Sequence, residues 1–240
     1  AALTPNDWRF RQGVVKDAAW PQASGQLPPT GLATRTHVVR VRQVLTAEEI
    51  AAVLKLAETL PHARAVPGAA RKTCYLSGGA LFSRVLPYVR AKLLKVAADV
   101  DAKHWNLLRG RTVLPRCVEC HHVVPGKDVL HTGHYDHGSV LTVDVMLSRP
   151  EIDFSGGRFQ TVEADGRVKA HHFQCGDAVV FVSHKPHFVE RVISGERRVL
   201  IMELWEGEER VCPHRCEARR GSCIATAGAR RTVGSANSHI

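Results

Sequence analysis

The chain has 240 residues, 44% apolar and 23% charged, an ordinary globular composition that excludes bulk disorder. Its length suits one domain with appendages, and no apolar run approaches the roughly 18 residues of a membrane span, which predicts a soluble protein. Lys and Arg outnumber Asp and Glu by 33 to 23, a formal +10 that invites a polyanion partner until its distribution is read.

Residues 1–36 mix Pro, Gly, Gln and Thr with little periodicity and read as an irregular N-terminal arm. Val38–Val44 alternates weakly and predicts a first strand. Thr46-Ala-Glu-Glu49 is a capping box, in which hydroxyl and carboxylate satisfy orphan N–H groups at a helix start. Ile50, Val53, Leu54 and Ala57 share one face of that helix. A second helix opens near Pro87, which has no N–H to leave unpaired in a first turn. Val89, Leu93, Val96 and Val100 form its stripe. Both stripes suit helices laid over a sheet, a helical cover spanning residues 46–104.

From residue 113 to 206 the pattern changes to short β-rich runs. Val113–Val124, Ser139–Ser148, Arg158–Val162, Val168–Phe173, Ala178–Val182, Phe188–Ile193 and Arg197–Trp205 are strand candidates, separated by turn signals such as Gly156-Gly157 and Gly176-Asp177. Many short strands at this spacing predict a mainly β fold with flanking helices, a double-sheet jelly roll or barrel. The domain then runs over residues 37–206, with no internal repeat. Residues 207–240 form a Cys- and Arg-containing tail whose last 15 or so residues read as mobile.

Seven cysteines, an odd number, are too few for a disulfide scaffold in a chain of this length. Cys117-x-x-Cys120 lies in a predicted strand with no second such pair to complete four ligands, which argues against zinc there. In the tail, Cys212-Pro-His-Arg-Cys216 and Cys223 fit either a disulfide clasp or a metal knuckle. The chain opens on Ala1 without a signal-peptide pattern, consistent with a processed product or a fragment. The compartment, cytoplasm or endoplasmic reticulum lumen, therefore stays open, as does the oligomeric state.

Histidine marks the chemistry: nine of 14 fall between His121 and His187. His134-Tyr135-Asp136 sets an imidazole and a carboxylate two residues apart, on one face if the segment is extended. His187 follows 51 residues later. Two histidines and a carboxylate on one face of an octahedral metal leave three positions open, the arrangement of non-haem Fe(II) oxygenases. Arg197 lies ten residues beyond His187 and shares a face with Val199 and Ile201. A cation facing inward from an apolar strand needs an anion, and the planar guanidinium suits a carboxylate.

With these residues stand Val124-Pro-Gly126, Asp153-Phe-Ser-Gly-Gly-Arg-Phe159, Gly176-Asp-Ala-Val-Val-Phe181, His187-Phe-Val189 and Gly195-Glu-Arg197. Over residues 38–206 the chain resembles the iron(II)- and 2-oxoglutarate-dependent dioxygenases, in particular their prolyl 4-hydroxylase-like branch. The resemblance implies a double-stranded β-helix with His134, Asp136 and His187 on Fe(II). It also implies Arg197 on the distal carboxylate of 2-oxoglutarate, and ascorbate as a further requirement. The implied reaction uses O₂, releases succinate and CO₂ from 2-oxoglutarate, and hydroxylates a C–H bond, with a peptidyl proline as the first substrate.

Two tyrosines common in prolyl hydroxylases are replaced by Val124 and Met146, so neither phenol is available to 2-oxoglutarate; Thr142 offers a substitute hydroxyl. His184 is the rival for the third metal position, but only His187 has the His-x-Val continuation and the offset to Arg197. His131 and His137 suit supporting or solvent-facing roles, and Asp144 can support the site. A nucleic-acid demethylase would carry a second arginine six residues after the first, where this chain has Glu203. A non-catalytic, cupin-like binding module would not need the intact metal set with its arginine. Small molecules remain a further substrate class. The charge excess lies outside the β core: residues 113–206 carry ten basic and thirteen acidic side chains, against seventeen and seven in residues 1–112 and six and three in the tail. A protein or peptide substrate is thus preferred to a nucleic acid.

Overall fold

The computed structural model describes residues 36–61, 70–126, 134–163 and 166–225. The expectations placed on the N-terminal arm, on His131 and on the last 15 residues fall outside these.

The chain enters through β1 (Val39–Val41) and turns into α1 (Ala47–Glu58), whose capping box is complete, Thr46 and Glu49 each bonding the other's backbone N–H. Next come β2 (Arg71–Tyr75), a 3₁₀ turn (Gly78–Ala80), the short α2 (Leu81–Val85) and α3 (Pro87–His104), with Pro87 in its first turn. Nine strands follow: β3 (Leu114–Val123), β4 (Leu141–Met146), β5 (Phe154–Gly156), β6 (Phe159–Val162), β7 (Val168–His171), β8 (Ala178–Val182), β9 (His187–Val189), β10 (Val192–Gly195) and β11 (Arg197–Trp205).

All named strand pairs are antiparallel. The large sheet has six strands in the order β1-β8-β4-β11-β3-β2; β10-β5 and β7-β6-β9 form two smaller ones. Period-2 alternation divides the large sheet into two chemistries. Leu141, Val143 and Val145 on β4, Val180 and Val182 on β8, and Leu200, Met202 and Leu204 on β11 pack with Ile50, Val53, Leu56, Val89, Leu93 and Ala97 of the helices. The opposite face holds a second cluster, in which Met146, Val179 and Phe181 meet Phe154, Phe159 and Val192 of the smaller sheets. This is the jelly-roll arrangement expected from the strand spacing. The inner face also carries the polar residues: Thr142 and Asp144 on β4 share a face with Met146, as Arg197, Val199, Ile201 and Glu203 share one on β11.

Three local expectations are corrected. The run Phe188–Ile193 is two strands, because the chain changes sheets between them: Glu190 N–H donates to the Arg158 carbonyl, and Gly157 N–H to that of Arg191. Strands β2 and β5 carry little pattern of their own and are recruited by their neighbours. The apolar stripes shift slightly, with Leu56 buried in α1 and Ala97 in α3, while Leu54 and Val96 are only partly covered.

Candidate active site

His134 does not lie in a strand. It forms a single antiparallel bridge with His187, whose backbone N–H donates to the His134 carbonyl at 2.8 Å. The chain then leaves the bridge, and Asp136 N–H donates to the Ser183 carbonyl at 2.7 Å. One ligand atom from each of His134, Asp136 and His187 lies within 4.8 Å of the others. The three side chains expected as metal ligands are therefore brought together, by bridge geometry rather than a shared strand face. His184 is not in the cluster.

Two of the three candidate ligands, His187 and Asp136, are held by neighbours. His187 Nδ1 lies 2.9 Å from the Lys185 carbonyl, an acceptor only, so this nitrogen donates and Nε2 is the nitrogen a neutral ring would offer to a metal. That Nε2 is 3.8 Å from Asp136 Oδ1. The His187 ring is walled by Phe181 and Phe159, with centroids 4.8 and 5.5 Å away. His134 is exposed and forms the open side, its ring centroid 4.3 Å from that of His187.

Asp136 is buried, and burial pushes its carboxyl upward. His187, Arg215, His134 and the Thr142 hydroxyl act against this and together hold it below the usual carboxylate range. Thr142 Oγ1 donates to Asp136 Oδ2 at 2.7 Å and lies 2.9 Å from Ser183 Oγ. The hydroxyl expected to face 2-oxoglutarate instead donates to the Asp136 carboxylate, and Thr142 supports Asp136.

Arg197 is among the largest fully buried side chains, and its Nε and Nη2 have no hydrogen-bond partner. Burial pushes its guanidinium down to about 10, only partly opposed by the charge of Asp144. The backbone is shaped around it: Gly157 has φ +60°, and a Cβ there would come within 2.9 Å of Arg197 Cδ. Asp144 is buried in the same interior. Burial and then the Asp136 charge push its carboxyl well above the usual range.

Two residues near the metal set were not foreseen as parts of the site. Glu203 is buried, accepts from Ser139 Oγ at 2.6 Å, and is pushed up to about 7 by burial and by Asp136. Arg215 comes from the tail. Its Nη2 donates to Glu203 Oε2 at 2.8 Å and stands 3.6 Å from Asp136 Oδ1. The place where a demethylase-like chain would carry its second arginine thus holds an acid, and a guanidinium reaches it from elsewhere. Only its position between tail residues His214 and Cys216 could have drawn attention to Arg215. Val124 and Met146 supply no phenol, and Met146 lies in the apolar cluster between the sheets.

No protein-family model matches the sequence, and no curated protein does. Solved structures do match. An oxidoreductase of the 2OG-Fe(II) oxygenase family from Burkholderia pseudomallei is 17% identical, with a TM-score of 0.52 over 75% of this chain and 88% of its own. A prolyl-4-hydroxylase from Pseudomonas putida is 18% identical, TM-score 0.52, over 72% and 94%. HygX from Streptomyces hygroscopicus, solved with nickel, 2-oxoglutarate and hygromycin B bound, is 13% identical, TM-score 0.53, over 79% and 92%. The resemblance read from the sequence extends to the architecture: the chain has the jelly-roll fold of these 2-oxoglutarate and Fe(II) oxygenase structures.

Proposed function

We propose that the chain is an Fe(II)- and 2-oxoglutarate-dependent dioxygenase that hydroxylates a peptidyl proline. The observation that carries this reading is the buried Arg197, with two unpaired guanidinium nitrogens, in the same inter-sheet interior as a set of two histidines and a carboxylate. The donor set of two imidazole nitrogens and one carboxylate oxygen suits Fe(II), and the open side at His134 leaves room for further ligands. A buried cation with orphaned N–H groups suits one end of a dicarboxylate.

In this reading His134, Asp136 and His187 hold Fe(II), and Arg197 holds the distal carboxylate of 2-oxoglutarate. Bound there, the metal and 2-oxoglutarate supply the O₂-dependent oxidation of a C–H bond, with release of succinate and CO₂. The chain's own residues position and shield. Lys185 fixes the His187 tautomer, Thr142 fixes Asp136 so that Oδ1 faces the site, and Phe159 and Phe181 exclude water behind His187. With Val124 and Met146 in place of tyrosines, Arg197 carries the distal carboxylate without a phenol beside it. The motifs favour a prolyl peptide; HygX, with its bound hygromycin B, makes small molecules the comparison class.

The test is succinate release by purified protein given Fe(II), 2-oxoglutarate, O₂ and ascorbate. A mass-spectrometric search for +16 Da products then covers proline-rich peptides, nucleic acids and small molecules. His134→Ala and Asp136→Ala are expected to abolish succinate release, and His184→Ala to preserve it. Loss with His184→Ala but not with His187→Ala would overturn the ligand assignment. A +16 Da product on a small molecule alone would keep the chemistry and overturn the proline.

A further inference from the structure

The tail beyond β11 is folded, yet it has almost nothing apolar to fold with. From Glu206 to Ser222 it forms neither helix nor strand, and Val211 and Ile224 are exposed. Polar contacts fasten its backbone to the domain. Gly79 N–H donates to the Val211 carbonyl, Ser77 Oγ to that of Cys212, Arg210 N–H to that of Pro115, and Arg116 Nε to that of Cys216. An irregular segment of this length loses considerable chain entropy on ordering, and small units without a core of their own are commonly stapled by a disulfide or a metal.

The side chains that turn inward are Cys212, His214, Cys216 and Cys223. Their ligand atoms all lie within 4.8 Å of one another, and Cys223 Sγ is 3.4 Å from His214 Nε2. Cys212 and Cys216 are buried, and none of the three cysteines is in a disulfide. At zinc bond lengths of about 2.3 Å to sulfur and 2.0 Å to nitrogen, the ligand atoms of a tetrahedral site sit roughly 3.5–3.8 Å apart. The cluster therefore needs to contract by no more than about 1 Å. Three thiols and one imidazole form a closed, soft set of the kind used by structural zinc sites. A disulfide would join two of the thiols and leave the third thiol and His214 without a reason to converge.

We propose that Cys212, His214, Cys216 and Cys223 bind one structural zinc ion, which fixes the tail and so holds Arg215 against Glu203 and Asp136. Arg215 lies between two of the ligands in sequence, so ordering the knuckle sets the origin of its side chain. The two sites sort metals by chemistry: the soft, four-membered set takes zinc, and the harder set of His134, Asp136 and His187 keeps open positions. The zinc assignment does not depend on the oxygenase reading.

The experiment uses the full chain purified under reducing conditions without chelator, with metals counted by plasma mass spectrometry. About one zinc per chain is expected. It should be lost in Cys223→Ser and Cys216→Ser and retained in His134→Ala and Asp136→Ala, which damage only the other set. His214→Cys preserves four ligands and should retain zinc, which separates ligand loss from misfolding. Cobalt(II) in place of zinc should give the visible bands of a tetrahedral site with sulfur-to-cobalt charge transfer, absent in Cys223→Ser. Trypsin should cut after Arg215, Arg219 or Arg220 in zinc-free protein and in Cys223→Ser, but not in zinc-loaded protein. Zinc retained by both serine variants, or an intact mass 2 Da low from a disulfide among these cysteines, would overturn the site. Equal cleavage with and without zinc would overturn its structural role.

Discussion

Replacing Arg197 with Met separates a cosubstrate-binding arginine from a structural one, because the two predict opposite changes in stability. Burial lowers the guanidinium to about 10, which amounts to roughly 3 kcal/mol against the charged form. Because folding lowers the value, this cost is fully present below about pH 10 and fades as pH rises above it. Arg197→Met keeps the aliphatic stem and removes both the charge and the orphaned N–H groups. Against this stands the space left by the guanidinium, so the ligand-free variant is expected to gain about 1–3 kcal/mol. For a domain of this size that raises the melting temperature by about 2–10 °C. Adding 2-oxoglutarate with nickel, which binds without turnover, should reverse the order. A ligand at about 100 times its Kd stabilises the wild type by about 2.7 kcal/mol and should leave the variant unmoved. Scanning calorimetry with and without 2-oxoglutarate reads both numbers. Equal stabilisation of both proteins, or a ligand-free variant destabilised by more than about 2 kcal/mol, would refute the reasoning.

Thr142→Val removes the hydroxyl that fixes Asp136 Oδ2 and should weaken metal binding by about 10–100-fold in an anaerobic Fe(II) titration. An unchanged affinity would mean that the hydroxyl does not orient the ligand. Asp144→Asn tests the raised carboxyl pKa in metal-free protein. An acid raised on folding costs nothing below its unfolded value near 3.8 and progressively more as pH climbs above it. The variant should therefore gain on the wild type as pH rises above about 4 in urea unfolding. Parallel pH profiles would show that folding does not raise the Asp144 carboxyl.

Alternation made β11 legible: its strict period of two places Arg197, Val199, Ile201 and Glu203 on one face, with Leu200, Met202 and Leu204 toward the helices. The convergence of His134, Asp136 and His187 was legible for a different reason, since they lie with Arg197 in the spacing that carries the family resemblance. What sequence could not show is where partners decide. Strand β2 carries exposed Arg71 and Lys72 and owes its conformation to the ladder with β3. The break at Glu190–Arg191 comes from hydrogen bonds to Arg158 and Gly157, which connect β5 to β6. Thr142 looked free because nothing in the local pattern places Asp136 above it. Arg215 lies outside the resembling stretch, and only the return of the tail across β3 brings it to Asp136.

The inner face of β11 has a consequence for ligand direction. Arg197 stands at one end of the strand, at the level of Val123; Glu203 stands at the other, beside Thr142 and Cys117, with Glu119 one level in. About 20 Å of strand separates the two ends, filled by Val199 and Ile201. The interior is therefore electrically one-way. An elongated molecule with an anionic tail meets an unpaired guanidinium only at the Arg197 end, because at the other end Arg215 is already taken by Glu203. A single strand, read from its first residue to its seventh, sets which way round such a guest must lie.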